Sequence, residues 1–261
     1  MRDVTRERGA AEAWLPWTDG PPRAGLRRVF CLPYAGGAAA GYRSWTERAE
    51  AYGIEVVPVE LPGRGTRWTE EPVAAMDRLV DALNREVFAR QTEPFALFGH
   101  SMGAHIAFAV AAALEQEAGD ADGAGGLCHL FVSACRAPGV SPPRLLHALP
   151  DDALLAALGD MGGTPPEVLG NAELMGFALP MIRADLTLLE RWRPEPGLRI
   201  ACPVTALGGD DDPLAGPATL GAWREFTRAS FAHRVFAGDH FYLREHMGAI
   251  LHEMGRSLPP R

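Results

Sequence analysis

The chain has 261 residues, 47% hydrophobic and 22% charged, which suits a soluble protein with a sizeable core and excludes a disulfide-stapled miniprotein or a globally disordered chain. Its 25 Lys and Arg against 33 Asp and Glu leave a formal charge of −8, which argues against nucleic acid as a partner. The longest apolar run, 106–114, is about half a membrane span, and the charged start of the chain lacks the apolar stretch of a signal peptide, so the expectation is a cytoplasmic protein with no membrane partner.

In chain order, a first β-rich run at 28–32 ends in the glycine-rich turn Leu32-Pro33-Tyr34-Ala35-Gly36-Gly37. A second, at 55–59, is followed by Leu61-Pro62-Gly63-Arg64-Gly65. Residues 69–89 read as an amphipathic helix. Thr69, Glu70, Glu71 and Pro72 form a capping pattern at its start, and Val73, Met76, Leu79, Val80, Leu83 and Val87 recur at helical spacing. The run at 95–98 leads into a helix over 102–118 that is apolar almost all round until Glu115, as expected of an interior helix; Gly119 would stop it and a loop would run to Gly126. Further β-rich runs lie at 129–132, 204–207 and 234–236. Short apolar runs that end in Gly, Pro or Ser and alternate with helical patterns suit parallel strands buried on both faces. The predicted architecture is therefore α/β, a mostly parallel central sheet flanked by helices in one domain over 1–261.

The interval 137–202 separates two neighbouring strands, yet a crossover unit needs only about 30 residues. Helices are expected over 151–158 and 174–192, the second with an apolar stripe of Met175, Leu179, Ile182, Leu186 and Leu189. We read the insertion as a helical lid over the active site, with Met175, Leu179 and Ile182 against the substrate; added scaffold helices are the alternative. Arg183 and Asp185 are not at pairing distance along this helix, so each needs a partner elsewhere, holding the lid to the core.

The chemistry centres on Gly99-His100-Ser101-Met102-Gly103, a G-x-S-x-G set between a strand and a helix. A strained turn there leaves no room for Cβ atoms beside Ser101, and the helix N-terminus favours a developing negative charge. A serine nucleophile needs a base, and the base an orienting carboxylate. Gly208-Gly209-Asp210-Asp211-Asp212-Pro213 follows the strand at 204–207, and Gly238-Asp239-His240-Phe241 follows the one at 234–236, so the order is Ser, Asp, His. His240 is the base, and His100 should point away from Ser101. Asp212 is the favoured acid by its offset of three from Gly209, with Asp211 second. The oxyanion-hole donors are expected to be the amides of Met102 and Ala35. Tyr34, Trp45 and Trp68 are candidates to line the site or to fill the core. Arg64 and Arg67 either meet a phosphate or are solvated or structural arginines. His246 and His252 lack a metal-ligand spacing, so no metal is expected. Cys31, Cys128, Cys135 and Cys202 form no C-x-x-C pair and read as reduced core thiols.

Together, 32–37, 61–65, 98–104, Arg183-Ala184-Asp185, 208–213 and His240-Phe241 resemble the type II thioesterases of polyketide synthase and nonribosomal peptide synthetase systems. The likeness runs from about Trp14 to Leu251. It implies an α/β-hydrolase fold and a serine thioesterase that removes acyl groups from the phosphopantetheine arm of acyl or peptidyl carrier proteins, editing stalled or misprimed synthases. Carried over by position, Ser101, His240 and Asp212 are the triad, with Ala35 and Met102 as oxyanion hole. No cofactor is implied, since the substrate carries the phosphopantetheine. A small-molecule carboxylesterase or a medium-chain fatty acyl thioesterase would use the same triad.

Overall fold

The computed structural model describes residues 10–18, 20–118, 126–140, 144–164 and 166–259. The expected stop at Gly119 and the loop after it fall outside the described residues. Among the described residues all six expected strands form: β1 (Arg27–Leu32), β2 (Ile54–Pro58), β3 (Phe95–His100), β4 (Leu127–Ser133), β5 (Val204–Gly209) and β6 (Phe231–Phe236). They make one parallel sheet in the order β2-β1-β3-β4-β5-β6. Successive side chains feed opposite layers: Phe30, Leu32 and Leu97 enter one core, while Val29, Cys31, Ala96 and Phe98 enter the other. Two-sided burial explains why these runs read as continuously apolar rather than alternating. β6 departs from that expectation, because as an edge strand it leaves residues 232–235 exposed.

The main helices are α1 (Met76–Glu86), α2 (Met102–Ala118), α3 (Asp151–Asp160), α4 (Ala172–Arg191) and α5 (Met247–Ser257). α2 is buried nearly all round because the sheet lies on one side and α1 on the other. The α1 face of Met76, Leu79, Val80 and Leu83 completes that layer, each side chain contributing about 1.5–3 kcal/mol on burial. α5 covers the opposite face through Ile250, Leu251 and Met254.

α1 begins at Met76 rather than near Thr69. The acid expected to cap it is engaged elsewhere: Glu70 accepts two hydrogen bonds from Arg67, at 2.8 and 2.6 Å. Pro72 in turn lies against Gly63, whose φ of +82° suits the turn before Arg64. α3 and α4 lie between β4 and β5, within the long interval marked out in the sequence.

Candidate active site

Parallel sheets open a crevice where the strand order reverses, here between β1 and β3, and the turn after each strand faces it. The turn after β3 holds Ser101 at a φ of 54°, a left-handed conformation costing a residue with a Cβ about 1–3 kcal/mol. Its surroundings hold it there. A Cβ on Gly99 would run into the carbonyl of Gly103, and one on Gly103 into the carbonyl of Leu32. The Ser101 amide donates to Ser133 O at 2.8 Å, and its carbonyl accepts from Ala104 N at 3.0 Å as α2 begins. The close approach at Gly103 also brings the start of α2 against the end of β1, and with it the Tyr34–Gly37 turn. Among the described residues the Ala35 and Met102 amides have no protein acceptor, as donors reserved for a ligand require.

His240 follows β6 and is 3% exposed; its Nδ1 lies 2.9 Å from Asp212 Oδ2. The other carboxylate oxygen of Asp212 accepts from the amides of Leu214 and Ala215, at 2.8 and 3.1 Å. Burial raises the Asp212 pKa, but the hydrogen bond and charge of His240 and the two amides outweigh it, leaving the group below its ordinary 3.8. An Nδ1–H donated to this carboxylate leaves Nε2 as the basic nitrogen. The three neighbouring aspartates thus separate. Asp210 accepts from Gly238 N at 2.8 Å, tying the β5 turn to the His240 loop, while Asp211 is exposed and meets Gly238 only through its amide.

His100 turns away from Ser101, as expected, with Nδ1 at 2.8 Å from Ser133 Oγ. Its ring centroid lies 5.3 Å from that of His240. Burial, reinforced by the charge of His240, holds its pKa well below 6.5. Ser133 Oγ also meets Tyr242 Oη at 2.6 Å, so one residue joins the serine turn, β4 and the His240 loop. No local pattern marks Ser133 or Tyr242, because their meeting depends on the β3–β4 register that sets His100 beside Ser133.

Ser101 and His240 border one cavity of about 480 Å³ together with Tyr34, Ala35, Leu158 and Ile182. No hydrogen bond joins the serine hydroxyl to the imidazole among the described residues, a contact that often closes only when substrate is bound. Of the proposed substrate contacts, Tyr34 and Ile182 lie on this wall. Met175 and Leu179 do not; they pack with Leu154 and Leu158 in the interior of the helical insertion. The second half of the α4 stripe, Ile182, Leu186 and Leu189, reaches the cavity, and Ile182 and Leu186 also belong to the apolar cluster of Leu154, Leu158, Met175 and Leu179.

Trp45 is core, packed on Tyr42 and Phe98, and Trp68 is 73% exposed. Arg64 and Arg67 are both engaged within the protein: Arg64 pairs with Asp185, and Arg67 pairs with Glu70 while stacking over Trp14. Arg183 braces the insertion internally, donating to the carbonyls of His147 and Leu149 and to Asp151, whereas Asp185 ties α4 to the core. All four cysteines are free, and burial raises their thiol pKa values. Among the described residues no helix is long and apolar enough to cross a membrane.

The chain matches the thioesterase domain family over residues 27–258. It is 36% identical over 257 residues to a probable cadicidin biosynthesis thioesterase of Streptomyces griseus, covering 98% of this chain and 69% of that one. Among solved structures it is similar to the type II thioesterase BorB from the borrelidin biosynthetic cluster, with 38% identity, a TM-score of 0.78, and 92% and 96% of the two chains covered. It also resembles YbtT, the type II thioesterase of the yersiniabactin NRPS/PKS pathway, with 30% identity, a TM-score of 0.81 and coverage of 92% and 96%.

Proposed function

Because this chain belongs to the thioesterase family, as a type II thioesterase of polyketide and nonribosomal peptide biosynthesis, we propose that it hydrolyses acyl thioesters on the phosphopantetheine arm of acyl or peptidyl carrier proteins and so clears stalled or misprimed synthases. The observation that carries the reading is the union of Ser101, strained at a strand end, with the His240–Asp212 pair on one apolar-walled cavity.

The reaction needs two half-steps. Ser101 Oγ attacks the thioester carbonyl while His240 Nε2 takes its proton, and Asp212 holds the imidazole in the required tautomer and stabilises its charged form. The Ala35 and Met102 amides receive the oxyanion. The carbon–sulfur bond then breaks, the imidazolium protonates the departing pantetheine thiolate, and an acyl serine remains. Water, deprotonated by His240, attacks that ester; a second oxyanion forms, and its collapse breaks the ester bond as the imidazolium returns its proton to Ser101 Oγ, releasing the free acid. The insertion acts as a lid, with α3 and α4 forming the walls along which the acyl chain lies.

The test is turnover of one acyl group presented on a carrier protein, on free pantetheine and as a p-nitrophenyl ester. Carrier-bound thioester should lead by about tenfold or more in kcat/KM, because remote contacts to the carrier and arm lower the barrier. Preference for the oxygen ester would make the protein a carboxylesterase instead.

A further inference from the structure

The amide of Ala35 is useful only if the turn that carries it is rigid, and that turn is held by an ion pair from two other parts of the fold. Asp185 lies on α4 of the insertion and Arg64 in the loop after β2. Their side chains are 2% and 4% exposed and meet fork to fork, Nη2 to Oδ1 at 2.6 Å and Nη1 to Oδ2 at 2.8 Å. Asp185 Oδ2 also accepts from the Gly36 amide at 2.8 Å, and Arg64 Nη1 also donates to Gly37 O at 3.2 Å. Arg64 donates further to Pro62 O at 3.4 Å. Both charges are therefore satisfied, as a buried pair must be.

The pair thus grips the two residues immediately after Ala35. Within the turn, Gly37 N donates to Tyr34 O at 2.8 Å. The Tyr34 carbonyl and the Ala35 N–H belong to one planar peptide and point oppositely, so fixing the first aims the second. Ile182, on the same helix as Asp185, closes against Gly36, whose φ is +77°.

We infer that Arg64 and Asp185 are positioning residues for the oxyanion hole, and that seating α4 on the core completes the hole. The inference rests on the reading that Ser101 forms an oxyanion facing the Ala35 amide. It gives the insertion a part in the chemistry as well as in holding the acyl chain.

The experiment compares wild type with Asp185→Asn and Arg64→Lys, using Asp151→Asn as a control that breaks an ion pair of the same insertion away from the turn. Two inhibitors of equal acyl length are used. A trifluoromethyl ketone adds to Ser101 and places an oxyanion in the hole; a thioether analogue fills the cavity without forming one. Asp185→Asn should weaken the ketone about 100-fold, the scale of losing one oxyanion donor, and lower kcat by a similar factor, with KM and thioether affinity little changed. Arg64→Lys keeps the charge but loses the fork, so its effect should be intermediate. Asp151→Asn should leave the ratio of the two affinities at the wild-type value.

A purely structural pair would lower melting temperature while leaving the affinity ratio unchanged in the folded variants, and that result overturns the inference. If Asp185→Asn does not fold, an unchanged ratio in folded Arg64→Lys overturns it equally. Wild type that binds the ketone but ignores acyl-pantetheine would refute the thioesterase substrate alone, because the inhibitor comparison requires no thioester turnover.

Discussion

At the scale of single residues, the site separates groups that look alike in sequence. Three consecutive aspartates follow β5, and only Asp212 meets the imidazole. Asp212→Asn should lower kcat by about 10⁴ through the wrong imidazole tautomer, whereas Asp211→Asn, at an exposed position, should change it little. Steady-state rates with acyl-pantetheine check both, and a larger loss in the Asp211 variant would reassign the acid. Asp210→Ala belongs to another class, since it removes the acceptor of the Gly238 amide; it should loosen the His240 loop and cost about 1 kcal/mol of stability in a denaturant titration. The elbow serine and the His240–Asp212 pair were legible because their constraints are local: a glycine on either side of a strained serine, and acids and a histidine just past strand ends. Ser133, Tyr242 and the Arg64–Asp185 pair were not, because each acts through contacts that only the strand order and the seating of α4 create.

At the scale of elements, the strands were readable from apolar runs bounded by turn residues, and α2 from its nearly continuous apolar surface. The start of α1 was misread because a capping pattern records what Glu70 can do locally, while Arg67 engages it across a turn. The stripe of α4 was read as one functional face, although only its second half borders the cavity. That division makes a prediction about chain length. Ala157 on α3 borders the cavity, so Ala157→Phe should shorten the preferred acyl chain and leave the rate on acetyl thioesters nearly intact. Leu179→Ala should instead cost about 2–5 kcal/mol of stability with chain preference unchanged, because Leu179 packs within the insertion. Chain-length profiles with melting curves decide between them, and a reversal of the two outcomes would place the acyl chain in the packed interior around Leu154 and Leu179 instead of the cavity.

At the scale of the whole molecule, the fold keeps several imidazoles dry. Burial pushes His105 and His129 down to about 4, and His100 well below 6.5. In the unfolded chain these groups take up protons near pH 6.5, so below that value the unfolded state binds more protons than the folded one. Stability should therefore fall as pH drops from about 6.5 towards 4, by about 1.5 kcal/mol each for His105 and His129 between pH 6.5 and 5. The lowered pKa of Asp212 adds a further loss as pH falls below 3.8. Urea midpoints across this range test the expectation, and His129→Gln should flatten the slope; a pH-independent midpoint would contradict it. In the proposed mechanism acyl groups pass through Ser101, and rapid-quench mass spectrometry of the enzyme mixed with an acyl carrier protein thioester observes that step itself. A transient acyl adduct is expected on the peptide containing Ser101, absent from Ser101→Ala, whose turnover falls by several orders of magnitude with an unchanged melting curve. An adduct on another residue, or near wild-type turnover by folded Ser101→Ala, would contradict it.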